Sequence, residues 1–176
     1  MKKNEHILCA SHIPLLVRAF TLSKGDILEL GTGYFSTPIL RWLCEMSGWL
    51  QEGNGRTLYS YETSEGWYQR AAIRTKKDLF PFHKVIKIDN FDEAKIEKHW
   101  GLAFIDHAPT RRRQVEIERL ANWADYIVIH DTNPQHDRAY KYSKIWGLFK
   151  NRYDFTKYYP HTSVVSNFYS LEKFKE

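Results

Sequence analysis

The sequence predicts an α/β fold: a Rossmann-like, doubly wound, mostly parallel seven-stranded sheet with an antiparallel hairpin at its C-terminal end. Three observations lead there. Short apolar runs alternate five times with stretches of helical periodicity, the pattern of a parallel sheet covered on both faces. The first run, Ile27, Leu28 and Leu30, is followed at once by Gly31 and Gly33, where the backbone must turn sharply. The chain then closes on two β-rich runs parted by Pro160 and His161, a hairpin signal.

In order, Ile7, Leu8, Ile13, Leu15, Leu16, Val17 and Phe20 read as helix over residues 5–22, interrupted near Pro14, which suits the first position of a second segment. Gly25 ends it and the first strand begins at Asp26. Past the glycine turn, Ser36 or Thr37 is a candidate N-cap with Pro38 at the first helical position. Ile39, Leu40, Trp42, Leu43, Met46, Trp49 and Leu50 recur at helical spacing as a core stripe. Gly53, Asn54 and Gly55 mark a loop, and a second strand runs from Thr57 to Tyr61, ending at Glu62. A helix from Ser64–Glu65 to about Lys77, a third strand over Lys84–Ile88 and a short helix over Asp92–His99 follow. The fourth strand, Leu102–Ile105, ends at Asp106 and His107; after a helix carrying Val115, Ile117, Leu120 and Trp123, the fifth, Tyr126–Ile129, ends at His130 and Asp131. A polar loop leads to a helix through Phe149, and Tyr153–Tyr159 pairs with Ser163–Tyr169.

The 176 residues fit one domain, 1–176, with 1–24 as an N-terminal helical segment. An apolar share of 43% excludes a disordered chain, and no apolar run has the length of a membrane span. Lys2 and Lys3 precede a stretch broken by Ser11, His12 and Pro14, a poor signal peptide, so a cytoplasmic location is expected. Cys9 and Cys44 sit among apolar residues and read as buried free thiols. The net charge of +5 comes without a block of five like charges, so a solvated basic surface is favoured over a nucleic-acid footprint. A homo-oligomer is left open.

Ligands of an open parallel sheet bind beyond the carboxyl ends of the strands. Here those ends carry Glu29 with Gly31 and Gly33, then Glu62, Asp89 with Asn90, Asp106 with His107, and His130 with Asp131. A strand–glycine–helix opening gathers unpaired N–H groups for a polar ligand. A dinucleotide site would want a third glycine where Ser36 stands, and Glu29 would repel a pyrophosphate. An acid there suits an ammonium group. Glu62 is placed to accept both hydroxyls of a ribose.

The run Glu29-Leu30-Gly31-Thr32-Gly33, continued by Ser36-Thr37, resembles motif I of class I S-adenosylmethionine-dependent methyltransferases. Glu62, Asp89-Asn90-Phe91, Asp106 and the terminal hairpin follow in that family's order, from about Gly25 to Leu171. The resemblance implies S-adenosylmethionine as cofactor, held by Glu29, Gly31, Thr32, Gly33, Ser36, Thr37, Glu62, Asn90, Phe91, Asp106 and His107. The likeness is greatest to catechol O-methyltransferase-like small-molecule enzymes. In these the counterparts of Asp106 and Asp131 bind a divalent cation, which implies Mg²⁺ here, and that of His107 lies beside the adenine. Two positions differ: Thr132 follows Asp131, with Asn133 one residue later, and Pro109 stands where those enzymes carry a lysine. Catalytic candidates are Asp106, His107, His130 and Asp131, with His107 or His130 as base or Mg²⁺ lowering the acceptor pKa. Arg111, Arg112 and Arg113 could grip an anionic substrate group. The expected activity is methyl transfer to oxygen or nitrogen of a small molecule. The alternatives are a cofactor-binding protein without turnover, a nucleic-acid methyltransferase and, disfavoured by Glu29 and Ser36, an NAD-dependent enzyme.

Overall fold

The computed structural model describes residues 10–50, 55–73 and 81–175. Four expectations fall outside them: the part of the first helix before residue 10, the placement of Cys9, the loop at 53–54 and the stretch of helix from 74 to Lys77, beyond α3 (Glu65–Ile73). The side chains of Trp49 and Leu50, expected in the core, are likewise outside.

Seven strands form one sheet: β1 Ile27–Leu30, β2 Leu58–Glu62, β3 His83–Lys87, β4 Trp100–Ile105, β5 Ala124–His130, β6 Asn151–Phe155 and β7 Thr162–Ser166. Their order is β3-β2-β1-β4-β5-β7-β6. Strands β1 to β5 are parallel, and β7 lies antiparallel between β5 and β6. The predicted class therefore holds. Every residue of β1, β4 and β5 is buried, as strands covered on both faces require.

Alternation sorts their side chains between two cores. Leu28, Leu30, Ala103, Ile105, Ile127 and Ile129 face Ile117 and Leu120 of α4 (Arg113–Leu120). Ile27, Leu102, Phe104 and Val128 face Leu15, Leu16 and Ala19 of α1 (Ile13–Leu22) and Leu40 and Cys44 of α2 (Ser36–Leu50). Burial pushes the Cys44 thiol up to about 12, so it is inert. Among the described residues no helix is long and apolar enough to cross a membrane.

Three boundaries differ from expectation. The helix over Asp92–His99 is only a 3₁₀ turn at Phe91–Glu93. Beyond it Ala94 and Ile96 are buried while Lys95 and Glu97 are exposed, an alternation that only an extended chain provides. The helix expected to reach Phe149 stops after one turn, α5 (Asp137–Tyr140), because Lys141 turns left-handed at φ 57°. The Asp137 carboxylate then accepts both the amide and the hydroxyl of Ser143. The hairpin strands are shorter than expected: Ser166 Oγ accepts the amides of Phe168 and Tyr169, folding the chain away from the sheet.

The order in which strands are added reverses between β1 and β4, which is where a doubly wound fold opens its crevice. Backbone bonds hold the strand ends level there. Gly31 N–H donates to Tyr61 O at 3.0 Å, and Asp106 N–H donates to Leu30 O at 3.0 Å.

Candidate functional site

The ends of β1, β2 and β4 frame a cavity of about 530 Å³, walled by residues 31–36, 62–64 and 106–108, with His12 and Trp67. That size lies in the ordinary range of small-molecule sites, about 300–1,000 Å³.

Its floor is the glycine turn. Gly31 has φ 88°, and a Cβ there would lie 2.6 Å from His107 Cα. Only glycine fits. The turn's amides are already used: Gly31 N–H by Tyr61 O, Thr32 N–H by Glu62 Oε2 at 2.8 Å, and Gly33 N–H by Thr37 Oγ1 at 2.8 Å. The expectation of unpaired N–H groups at the turn is thus overturned. Helix geometry leaves free only the amides where α2 begins. Nor do Ser36 or Thr37 serve as N-cap: α2 starts at Ser36, and the Thr37 hydroxyl points back at Glu29.

Glu29 lies beneath this floor, fully buried and off the cavity wall. Thr37 Oγ1 donates to its carboxylate at 2.9 Å and Ser60 Oγ at 2.6 Å. Ser60 in turn meets His83 Nε2 at 2.9 Å. A chain of side chains therefore runs from the glycine turn through Thr37, Glu29 and Ser60 to His83 on β3. Burial raises the Glu29 carboxyl to about 7, against the hydrogen bonds from Ser60, Ser36 and Thr37 that favour its charge.

Glu62 closes one side. Its Oε2 accepts Thr32 N–H and, at 3.0 Å, Thr32 Oγ1, while Oε1 accepts Ser64 N–H at 2.8 Å. The carboxylate is held in place at the cavity wall with acceptor capacity left over. Sequence reasoning passed over Tyr34 and Trp67, whose rings meet edge-on at 4.8 Å with the Arg70 guanidinium over both. Their aromatic character was the available signal.

Asn90 and Phe91 are not on the cavity wall. The Asn90 side chain accepts Asp92 N–H and donates to Glu93, and Phe91 stacks on His107 at 4.0 Å between ring centres. His107 does reach the wall. Its Nε2 lies 3.3 Å from Glu116 Oε2, too far out of line for a hydrogen bond, and burial keeps its pKa below the usual histidine value.

Asp106 reaches the cavity, with His130 and Asp131 behind it. His130 Nδ1 is 3.2 Å from Asp106 Oδ1 and 3.7 Å from Asp131 Oδ1, and its Nε2 is 3.2 Å from Ser11 Oγ. Burial works against both charges. The mutual hydrogen bond and attraction outweigh it, lowering the Asp106 pKa and raising that of His130.

The pair expected to hold Mg²⁺ does not fit that ion. Arg113 lies between the carboxylates, with Nη2 2.9 Å from Asp106 Oδ1 and Nη1 3.1 Å from Asp131 Oδ2. It also donates through Nε to His107 O at 2.7 Å. A guanidinium thus stands where an oxygen-coordinated cation would. Asn133, one residue beyond the position at which the resembled enzymes carry their asparagine ligand, accepts His161 N–H. Arg112 is tied to Asp92 and Glu116, so of the three arginines only Arg111 opens on a surface groove, with His136, Arg138 and Tyr140.

No protein-family model matches the chain, and no curated protein sequence does. Solved structures do match in fold. A Thermotoga maritima S-adenosylmethionine-dependent O-methyltransferase superposes with TM-score 0.62 at 14% identity, over 93% of this chain and 66% of that one. An rRNA methylase from Streptococcus thermophilus gives 0.57 at 13%, over 96% and 99%. M. capricolum TrmK in complex with S-adenosylhomocysteine gives 0.50 at 16%, over 89% and 69%. At these identities the likeness is one of fold.

Proposed function

We propose that this chain is a single-domain S-adenosylmethionine-dependent methyltransferase, acting in the cytoplasm on an oxygen or nitrogen of a small molecule. The observation that carries the reading is the Glu62 carboxylate, set by Thr32 and Ser64 on the wall of a cavity floored by Gly31 and Gly33. A fixed acid at the end of the second strand suits vicinal hydroxyls. The occupied amides of the glycine turn, with Glu29 beneath, disfavour a pyrophosphate and so a dinucleotide. The fold neighbours named above support the same cofactor. The buried free thiol of Cys44 suits a reducing compartment.

S-adenosylmethionine supplies a methyl group already activated by its sulfonium. The chain's part is to bind, orient and exclude water. Glu62 would accept the ribose hydroxyls. Tyr34 and Trp67 cover the apolar side of the cavity. Asp106, kept charged by His130 and Arg113, reaches the cavity and orients the acceptor there through a hydrogen bond to its proton. His107 bounds the wall as a neutral ring; His130 and Asp131 act through Asp106 and Arg113.

A second reading has its own observation. The groove of Arg111, His136, Arg138 and Tyr140 combines cations with aromatic surface, as a nucleic-acid acceptor would need. One of the fold neighbours described above is an rRNA methylase.

Calorimetry decides the cofactor. S-adenosylhomocysteine should bind with one site per chain and NAD should not, and the reverse result would remove the main reading. Salt-dependent binding of an RNA duplex, lost in Arg111→Glu and Arg138→Glu, would favour the second acceptor class.

A further inference from the structure

His12 has no role in the cofactor reading, yet its placement is unusual. It is 2% exposed, both ring nitrogens are buried, and neither has a hydrogen-bond partner among the described residues. Buried polar groups are nearly always satisfied, and an ion is one thing that would satisfy an exception. His12 lies on the cavity wall beside Asp106. Its ring meets that of His130 edge-on, 4.8 Å between centres.

We propose that His12, Asp106 and His130 form a site for a first-row transition-metal dication of the zinc class. One ligand atom from each lies within 4.8 Å of the others. Asp106 Oδ1 and His130 Nδ1 are already 3.2 Å apart, close to the ~3.4 Å between two ligands of a tetrahedral zinc ion. His12 has only to close the remaining gap. Two imidazoles and one carboxylate select zinc, cobalt or iron over magnesium, whose preferred donors are all oxygen.

The surroundings fit as well. Ser11 Oγ meets His130 Nε2 at 3.2 Å, the outer-shell contact that fixes a ligating ring with its other nitrogen turned to the metal. Arg113 takes one lone pair of Asp106 Oδ1, and the one now facing His130 Nδ1 is the one an ion would use. The Arg113 charge is shared with Asp131. Three protein ligands leave a position open toward the cavity, the pattern of a catalytic rather than a structural site. With an ion in place, an acceptor would meet the metal instead of the bare carboxylate.

The test uses the full chain without a histidine tag, stripped with EDTA and free of cofactor. Titration with Co²⁺ should give visible d–d bands saturating at one ion per chain, and Zn²⁺ should abolish them. His12→Asn should weaken Co²⁺ binding by more than the roughly 10–100-fold expected when an outer-shell partner is lost, and Ser11→Ala should fall within that range. His99→Ala, at a surface histidine paired with Asp125, should change nothing. His12→Gln gives the same comparison if the Asn variant loses its native circular dichroism. The proposal is overturned if the wild type shows no saturable bands, or if both His12 variants bind as the wild type does. Either result leaves the S-adenosylhomocysteine measurement, and the reading built on it, unaffected.

Discussion

Gly31 rests directly on the backbone of His107, so closely that a Cβ at position 31 would sit 2.6 Å from His107 Cα and 2.7 Å from its nitrogen. Neither partner can rotate away, because both atoms are main chain. The left-handed φ of 88° adds its own penalty for any side chain. Gly31→Ala should therefore cost at least about 3 kcal/mol in urea unfolding and abolish cofactor binding. A native-like midpoint would show that β1 and β4 can part at this end without loss.

Glu62 offers a cleaner separation of binding from folding. Its oxygens face the cavity, and the groups they hold, Thr32 and Ser64, can turn to water. Glu62→Ala should weaken S-adenosylhomocysteine by about 10–100-fold in calorimetry, the loss of one or two charge-assisted hydrogen bonds. Unchanged affinity would remove its ribose role.

Glu29 predicts a pH dependence of stability. Its pKa rises from an ordinary 4.5 to about 7 on folding. Below pH 4.5 both states are protonated and the folded protein carries no penalty. As pH rises toward 7 the unfolded chain ionises first, and stability is lost until both states are charged. The full loss is about 3 kcal/mol. Glu29→Gln should match the wild type near pH 4 and exceed it above pH 7, as measured by thermal unfolding across that range. A constant difference at all pH values would reject the assignment.

Arg113 is 4% exposed and balances two carboxylates. Arg113→Met removes the guanidinium that both share and leaves only His130 beside them, at a cost of about 3–5 kcal/mol at neutral pH. Arg113→Lys should recover only part, because one ammonium cannot also reach His107 O and His130 O. Denaturant midpoints of the two variants check the order. Equal midpoints would mean that charge alone, without the planar geometry, holds the strand ends together.

The sheet was legible because its signal is local. Ile27, Leu28 and Leu30, and Tyr126 to Ile129, are apolar runs too short for helices, and each is followed at once by turn or polar residues. The helices failed where one residue decided. Lys141 takes a left-handed conformation that nothing in its own chemistry announces, and Lys95 and Glu97 passed as a helix surface although they alternate with buried Ala94 and Ile96. In the site, Glu62 and the glycine turn were readable from their place after strands. Arg113 was not. Three successive arginines look alike in sequence, and only the packing of α4 against the ends of β4 and β5 turns the third inward. His12 meets Asp106 only after the chain has crossed the sheet, so its place in the cavity is a product of topology.

The hydroxyl–carboxylate chain from Gly33 through Thr37, Glu29 and Ser60 ends at His83, on the strand that forms one border of the sheet. That border is thereby joined by hydrogen bonds to the turn, two strands inward. A molecule settling on Gly33 should slow amide hydrogen exchange along His83–Lys87, where it makes no contact. Serine replacement by alanine at position 60 should silence that distant response while occupancy of the cavity persists. The outermost strand then serves as a remote reporter of what the interior holds.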